Sequence, residues 1–516
     1  MNRSQLIEQL TSQKIFDIII IGGGATGLGA AVDAASRGYS TLLLEKYDFA
    51  KGTSSRSTKL VHGGVRYLQQ GNIKLVMEAL KERGILKKNA AHLVKNQSFI
   101  VPNYKWWEGP FYGLGLKVYD WMSGSLGLGN SQWLSTEEVL ELAPTLDPEG
   151  LRGGVMYHDG QFDDSRLAIN LAQTAVEQKA VVLNYFSVSG LLKTAGKITG
   201  VQATDSINGK KYDISGKVVV NATGVFSDSI QQLDDPQKPA SISPSQGIHV
   251  VLDKEFLPGD AAIMIPHTDD GRVLFAVPWH NKIIIGTTDT PVETITDEPV
   301  AQQEEIDFIL QHAARYLTKD PTRKDVRSIF AGLRPLVKSS AKKTAEISRD
   351  HSVIISDTGL ISIVGGKWTT YRKMAEDVIN TAAIQASLAY KECVTEELSI
   401  HGNRETADFT SPGYYYGTDK VLIDQLIAED PALASTIHPQ LPYTKAEIIW
   451  AVRNESCMTV EDALSRRTRA LLLDAKASIE AALLVASLMA KEMKVGQEWI
   501  NEQVISFTKT AQTYLP

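Results

Sequence analysis

The chain has 516 residues, a formal net charge of −7 at pH 7 and two cysteines. The length implies two or three domains with a sizeable core, and the acidic balance argues against a nucleic-acid partner held by bulk electrostatics. Cys393 and Cys457 form no CxxC pair, so a disulfide framework, a metal–thiolate centre and a dithiol redox centre all lack ligands, and no metal is expected.

The opening MNRSQLIEQLTSQK is polar and has no signal-peptide core. Phe16 to Ile21 (FDIIII) reads as a buried parallel strand, Ala25 to Arg37 as a helix stopped by Gly38, and Ser40 to Glu45 as the next strand, which together make one βαβ unit. The apolar run Ile18–Ala31 is crowded with glycine and is a poor membrane span; no other stretch is long and apolar enough. Residues 73–95 read as a helix, 104–122 as an aromatic-rich segment, and Ser135 with Glu138 as a capping box. Strands and turns alternate over 180–220, ending in Val218–Val220. Strand-like runs recur over 246–290, and 301–317 is helical. Near residue 400 the turn-rich HGNRETADFTSPGYYYG marks a domain boundary; beyond it the pattern is helical to the end, with a second capping box at Thr444 and Glu447.

Gly22-Gly23-Gly24-Ala25-Thr26-Gly27 is a G-x-G-x-x-G that follows a strand and opens a helix, the context in which the motif binds a dinucleotide. Gly22, Gly24 and Gly27 allow a tight turn and close backbone approach to a pyrophosphate, and the helix N-terminus supplies free N–H groups. Glu45 ends the second strand at the spacing of a ribose-binding carboxylate, and it would repel a 2′-phosphate. FAD is favoured over NAD by two distant pieces. One is the strand running into Ala222-Thr223-Gly224, an element that recurs in two-dinucleotide-fold flavoproteins. The other is Ile361 to Lys367, a strand ending in Gly365 and Gly366.

Gly52 to Leu68 (GTSSRSTKLVHGGVRYL) is similar to the flavin-contact segment of FAD-dependent glycerol-3-phosphate dehydrogenases. Ile284–Asp289 (IIGTTD), Ala331–Leu336 (AGLRPL), Gly365–Arg372 (GGKWTTYR), Leu441–Thr444 (LPYT) and Ser465–Ala470 (SRRTRA) resemble the same family, so the likeness covers nearly the whole chain. The resemblance implies an α/β chain: an FAD-binding doubly wound, p-hydroxybenzoate-hydroxylase-like fold with an inserted α+β substrate domain and a C-terminal α-helical domain. The expected ranges are 1–75, 150–235 and 345–390 for FAD binding, 76–149 and 236–344 for substrate, and 400–516 for the helical domain. It also implies oxidation of sn-glycerol 3-phosphate to dihydroxyacetone phosphate, with electrons passing through FAD to a membrane quinone. The setting it implies is cytoplasmic, peripheral on the inner face of the cell membrane. A homodimer is left open.

Hydride loss from C2 with proton loss from its hydroxyl needs an anion clamp, an oxyanion stabiliser and a proton acceptor. By the resemblance Arg334 lies near the flavin and the substrate oxygen; its fixed charge suits a developing alkoxide and its high pKa makes it a poor base. Arg66, Tyr67, Arg349 and Lys367 align with positions that hold the substrate phosphate or line its pocket. His249 is the preferred proton acceptor and His62, in the His62-Gly63-Gly64 turn expected at the isoalloxazine, the second choice. Thr53, Ser54, Ser55, Gly366, Lys367 and Thr370 are expected at the cofactor. Gln246 departs from the family, whose members often carry Lys or Arg there.

Trp106, Trp107, Phe111, Tyr112, Tyr119 and Trp121, interleaved with Lys105 and Lys117, suit either a bilayer interface or an internal aromatic cluster. A glycerol-phosphate oxidase typically carries an insertion for which this chain is short. An amine or amino-acid oxidase would not need Arg66 and Arg349, and a flavin-binding protein without turnover would not need Arg334, His249 and Lys367 together.

Overall fold

Ile18, Ile19 and Ile20 have no exposed surface, and a β-branched run covered on both faces suits a central parallel strand. In the computed structural model, which describes residues 1–64, 72–124, 127–338 and 351–516, the Phe16–Ile21 strand lies inside an eight-stranded sheet. It pairs in parallel with Thr41–Leu44 on one side and Lys211–Asn221 on the other. Ile361–Gly365 continues in parallel beyond Lys211–Asn221, so the three glycine-ended strands read from the sequence are neighbours. The helix Ala25–Ser36 packs against both Asp164–Glu177 and Tyr371–Gln385, and the three share the largest apolar core with this sheet.

A second sheet of ten strands is built around the long antiparallel pair Ile242–Asp253 and Val326–Val337. Lys282–Gly286, Leu274–Trp279 and Ala262–Ile265 follow on one side, then Val94–Pro102, Gly154–Phe162 and Leu60–Val61. Two strands depart from the expected ranges. Leu60–Val61 and Gly154–Phe162 fall within 1–75 and 150–235, yet their hydrogen bonds place them in the second sheet. Leu60–Val61 is too short for a period, and the nine-residue GVMYHDGQF carries no signal that says which sheet it will join.

The capping boxes at Ser135/Glu138 and Thr444/Glu447 both form. Residues 73–95 are a helix only to Asn89, and Val94 already begins a strand. Past residue 400 the chain is mostly helical, but Thr436–His438 and Leu441–Thr444 make a small hairpin before the Lys445–Asn454 helix. Strands of three and four residues are too short to show a period of two. Among the described residues no helix is long and apolar enough to cross a membrane.

The first glycine turn shows why glycine is required. Gly22 has φ +109°, and a Cβ there would sit 2.7 Å from the Ala222 carbonyl oxygen; a Cβ on Gly27 would sit 1.9 Å from the Gly22 carbonyl oxygen. Gly27→Ala must therefore push the helix off the strand end. The variant is expected to purify with roughly a tenth or less of the wild-type flavin per chain, measured by the ratio of flavin to protein absorbance. A folded variant with full flavin content would show that the contact is dispensable.

Candidate active site

The adenosine end of the cradle is built by Glu45. Its carboxylate accepts the Gly23 N–H at 2.6 Å and the Tyr47 N–H at 2.8 Å, so it joins the glycine turn to the loop that follows the second strand. Burial raises its pKa above the usual carboxylate value, against the lowering effect of those two N–H groups. Ser54 Oγ accepts the Ala25 N–H at 2.9 Å at the helix start, and the Ser54 carbonyl accepts the Trp368 indole N–H at 2.8 Å. Thr53 Oγ1 donates to the Leu333 carbonyl at 2.5 Å, and Ser55 is buried with its carbonyl on Lys59 Nζ at 2.6 Å. The Thr53–Ser55 turn thus ties the glycine turn, the Gly365–Thr370 segment and the Val326–Val337 strand together. Ala222 lies against Gly22, and Thr223 bonds back to the Asn221 side chain at 2.7 Å. A dinucleotide cradle that a Cβ would fill, with a carboxylate at the ribose position, fits FAD.

Beyond this cradle opens a cavity of about 1000 Å³ between the two sheets. Arg334 enters it from the Val326–Val337 strand, with about one fifth of its side chain exposed. Its Nη1 donates to Asp289 Oδ1 at 3.1 Å and its Nη2 to Thr287 Oγ1 at 3.0 Å and the Thr288 carbonyl at 2.9 Å. Gly247, on the neighbouring strand, leaves the room: a Cβ there would lie 2.3 Å from Arg334 Nη2. The guanidinium is held in one orientation by acceptors from three consecutive residues.

His249 lines the same cavity, two residues along the strand from Gly247. It is buried, stacked on Phe330 with ring centroids 4.7 Å apart, and its Nε2 lies 2.9 Å from Thr58 Oγ1. Burial, then the charges of Lys59 and Arg334, hold its pKa well below the usual histidine value, so it is neutral at neutral pH. His62 also lines the cavity, and its backbone N–H reaches Thr369 Oγ1 at 3.3 Å. Gly63 donates its N–H to Tyr119 at 2.8 Å, and Gly64 has φ +79°. Gly366 and Lys367 lie at the cavity wall. Thr369, rather than the expected Thr370, faces it. Thr370 is buried, and its hydroxyl turns back to the Lys367 carbonyl at 3.4 Å. Arg66, Tyr67 and Arg349 lie outside the described residues.

Several supporting residues were not singled out from the sequence. Glu305, buried at the start of the Gln303–Ala314 helix, accepts from Thr288 and Thr290 hydroxyls at 2.9 and 2.7 Å and from Gln246 Nε2 at 2.7 Å. It fixes the turn that carries the Arg334 acceptors, and its signal was the Gln302/Glu305 capping pair. It also gives Gln246 a partner that a Lys or Arg at that position would hold by charge. Lys59, within the flavin-contact segment, and Asp164 form a fully buried pair at 2.8 Å.

The chain matches the family model described as FAD dependent oxidoreductase over residues 17–372 and that of the C-terminal domain of alpha-glycerophosphate oxidase over 356–500. It is 38% identical over 554 residues to the mitochondrial glycerol-3-phosphate dehydrogenase of Homo sapiens, covering 100% of this chain and 75% of that protein. With the Schizosaccharomyces pombe protein of the same name the identity is 37% over 582 residues, covering 100% and 89%. The structure of a glycerol-3-phosphate dehydrogenase from Bacillus halodurans complexed with FAD superposes with a TM-score of 0.78 at 29% identity, covering 100% of this chain and 98% of that one. An FAD-bound L-alpha-glycerophosphate oxidase from Mycoplasma pneumoniae shares the fold at a TM-score of 0.58 and 17% identity over 74% of this chain and 97% of that one. The chain is an FAD-dependent oxidoreductase. Within that class it belongs to the FAD-dependent glycerol-3-phosphate dehydrogenase family.

Proposed function

We propose that the chain oxidises sn-glycerol 3-phosphate to dihydroxyacetone phosphate and passes the electrons to a quinone at the cytoplasmic face of the membrane. The observation that carries this reading is Arg334, oriented by Asp289, Thr287 and Thr288 at the wall of a cavity that also holds a neutral His249. FAD, when bound, supplies the hydride acceptor at its isoalloxazine. Arg334 stabilises the oxygen on C2 as it loses its proton, and a guanidinium fixed beforehand needs no reorientation at that moment. His249 takes the proton, with Thr58 holding the ring. Lys367, with Arg66, Tyr67 and Arg349 by sequence, holds the phosphate, for which guanidinium forks are suited.

An apolar electron acceptor is supported by the other half of the cavity, where Phe99, Leu114, Val118, Met264 and Phe275 line the wall. A three-carbon phosphate ester has no use for such a wall. The Glu108–Ser123 helix divides its aromatic segment between two faces. Tyr112 and Tyr119 are buried, whereas Leu114, Val118 and Trp121 are exposed along one helical stripe, with Trp106 (79% exposed) just before it. That exposed stripe supports docking on a lipid surface.

Anaerobic mixing with glycerol 3-phosphate is expected to bleach the flavin band, and an unchanged spectrum would sink the substrate reading. Arg334→Met is expected to slow the bleaching by about 10²–10³-fold with FAD still bound; near-normal reduction would remove Arg334 from the chemistry. Reoxidation by a quinone analogue, without peroxide in air, is expected, and rapid peroxide formation would favour an oxidase. Because the folded pKa of His249 is lowered, the ring stays neutral down through its ordinary value of about 6.5 and protonates only below it. The acid limb of the reduction rate is therefore expected well below that pH and absent in His249→Asn. A limb at or above it would remove His249 as the proton acceptor. Co-sedimentation with phospholipid vesicles is expected to fall in Trp106→Ala/Trp121→Ala, and unchanged binding would reject this helix as the anchor.

A further inference from the structure

The Ser465–Ala470 segment takes no part in the chemistry, yet it carries three arginines that are almost wholly buried. A wide π-helical turn over Asp462–Arg467 aims two of them at one carboxylate. Arg467 Nη1 and Nη2 reach the two oxygens of Asp48 at 2.7 and 2.9 Å, and Arg466 Nε reaches Asp48 Oδ2 at 2.5 Å. Asp48 has no exposed surface. It stands three residues after Glu45, in the loop whose Ala50 N–H bonds the Gly23 carbonyl at 2.9 Å and whose Phe49 lies under the same glycine. The contacts around it repeat the link. Lys51 pairs with Glu461 at 2.5 Å, and Tyr185, whose N–H holds the Tyr47 carbonyl at 2.8 Å, donates its hydroxyl to Asp462 at 2.7 Å. Loop 46–51 is thus tied to the glycine turn and to residues of, or bonded to, the C-terminal domain, with Asp297, which accepts the Tyr47 hydroxyl at 2.7 Å and pairs with Lys46 at 3.4 Å, as the further anchor.

We propose that the C-terminal helical domain locks the cofactor: Arg466 and Arg467 are positioning residues that hold loop 46–51 against Gly23, and so keep Glu45 aligned for the adenosine ribose of FAD. A buried carboxylate between two guanidinium groups cannot leave without stranding a charge, so the loop cannot open while the domain is docked. The domain's contribution to catalysis is then indirect, through retention of the adenosine half of the cofactor, and it stands independently of which alcohol is oxidised.

The test uses the full-length chain, stripped of flavin and titrated with FAD or with ADP alone, following flavin fluorescence quenching for FAD and calorimetry for ADP. Arg467→Met is expected to weaken both ligands by a similar factor of tenfold or more. Ser328→Ala is the control. It removes the buried hydrogen bond from Ser328 Oγ to the Leu471 carbonyl (2.8 Å) between the Val326–Val337 strand and the C-terminal domain, which touches neither the loop nor Arg467, and it is expected to leave both affinities within twofold of wild type. Equal weakening in the two variants would show generic damage to the interface and overturn the proposal, as would unchanged FAD and ADP affinity in folded Arg467→Met. Where Arg467→Met fails to fold, Arg467→Lys keeps the charge and loses the fork. Weakened ADP binding by that variant supports the lock, and wild-type affinity overturns it.

Discussion

A backbone contact at the carboxyl end of the central strand sets the arrangement of the rest. Gly22 and Ala222 approach so closely that no side chain fits between them, and the Ala222 N–H donates to the Ile21 carbonyl at 2.9 Å. That contact puts Lys211–Asn221 beside Phe16–Ile21 and so fixes where the strand ends meet the helix N-terminus. Parallel neighbours cannot be joined by tight turns; each return needs a long crossover. The chain between residues 45 and 181, and again between 222 and 351, must leave this sheet and come back. The second sheet is assembled from those excursions, which is why it sits over the same strand ends and closes the cavity there.

Charges near the cavity are arranged in pairs that orient rather than accumulate. Lys59 is matched by Asp164, Arg56 by Glu298 and Arg334 by Asp289. A guanidinium already paired with a carboxylate adds little net field, but its N–H groups are aimed and rigid, and preorganised donors are what stabilise a developing oxyanion. The same cations act on His249. Lys59 and Arg334 both disfavour its protonated form, so the groups suited to an alkoxide also keep the candidate proton acceptor in its accepting state.

The glycine turn, Glu45, the Ala222 strand end and the Gly365-Gly366 turn were legible because each is a local pattern: a strand, then glycines, then a helix. Arg334 and His249 were legible only through resemblance, since a single arginine or histidine in a strand has no signature of its own. Glu305 was hidden inside a capping box, whose sequence pattern explains the carboxylate fully at the helix start and says nothing of the threonines it reaches across space. Leu60–Val61 was missed as a second-sheet strand because two residues carry no periodicity. The aromatic segment 104–122 was ambiguous for a different reason. The segment splits between a buried and an exposed face, and only the helical phase separates Tyr112 and Tyr119 from Leu114, Val118 and Trp121.

That phase has a consequence for how two unlike partners reach one cofactor. Leu114 is 71% exposed and Val118 39%, yet both also line the cavity. Along this stretch the wall between solvent and cavity is a single side chain thick. On the far side the cavity is bounded by Arg334, His249 and the Gly365–Thr369 segment, where the polar groups converge. An ionic substrate and an apolar acceptor have opposite solvation costs, and each is admitted cheaply only at the end whose lining matches it. Under the proposed function, the polar end takes the phosphate ester and the thin apolar wall faces the lipid surface. The separation of the two half-reactions then follows from the polarity gradient across one cavity, with no need for a second cofactor to carry electrons between distant sites.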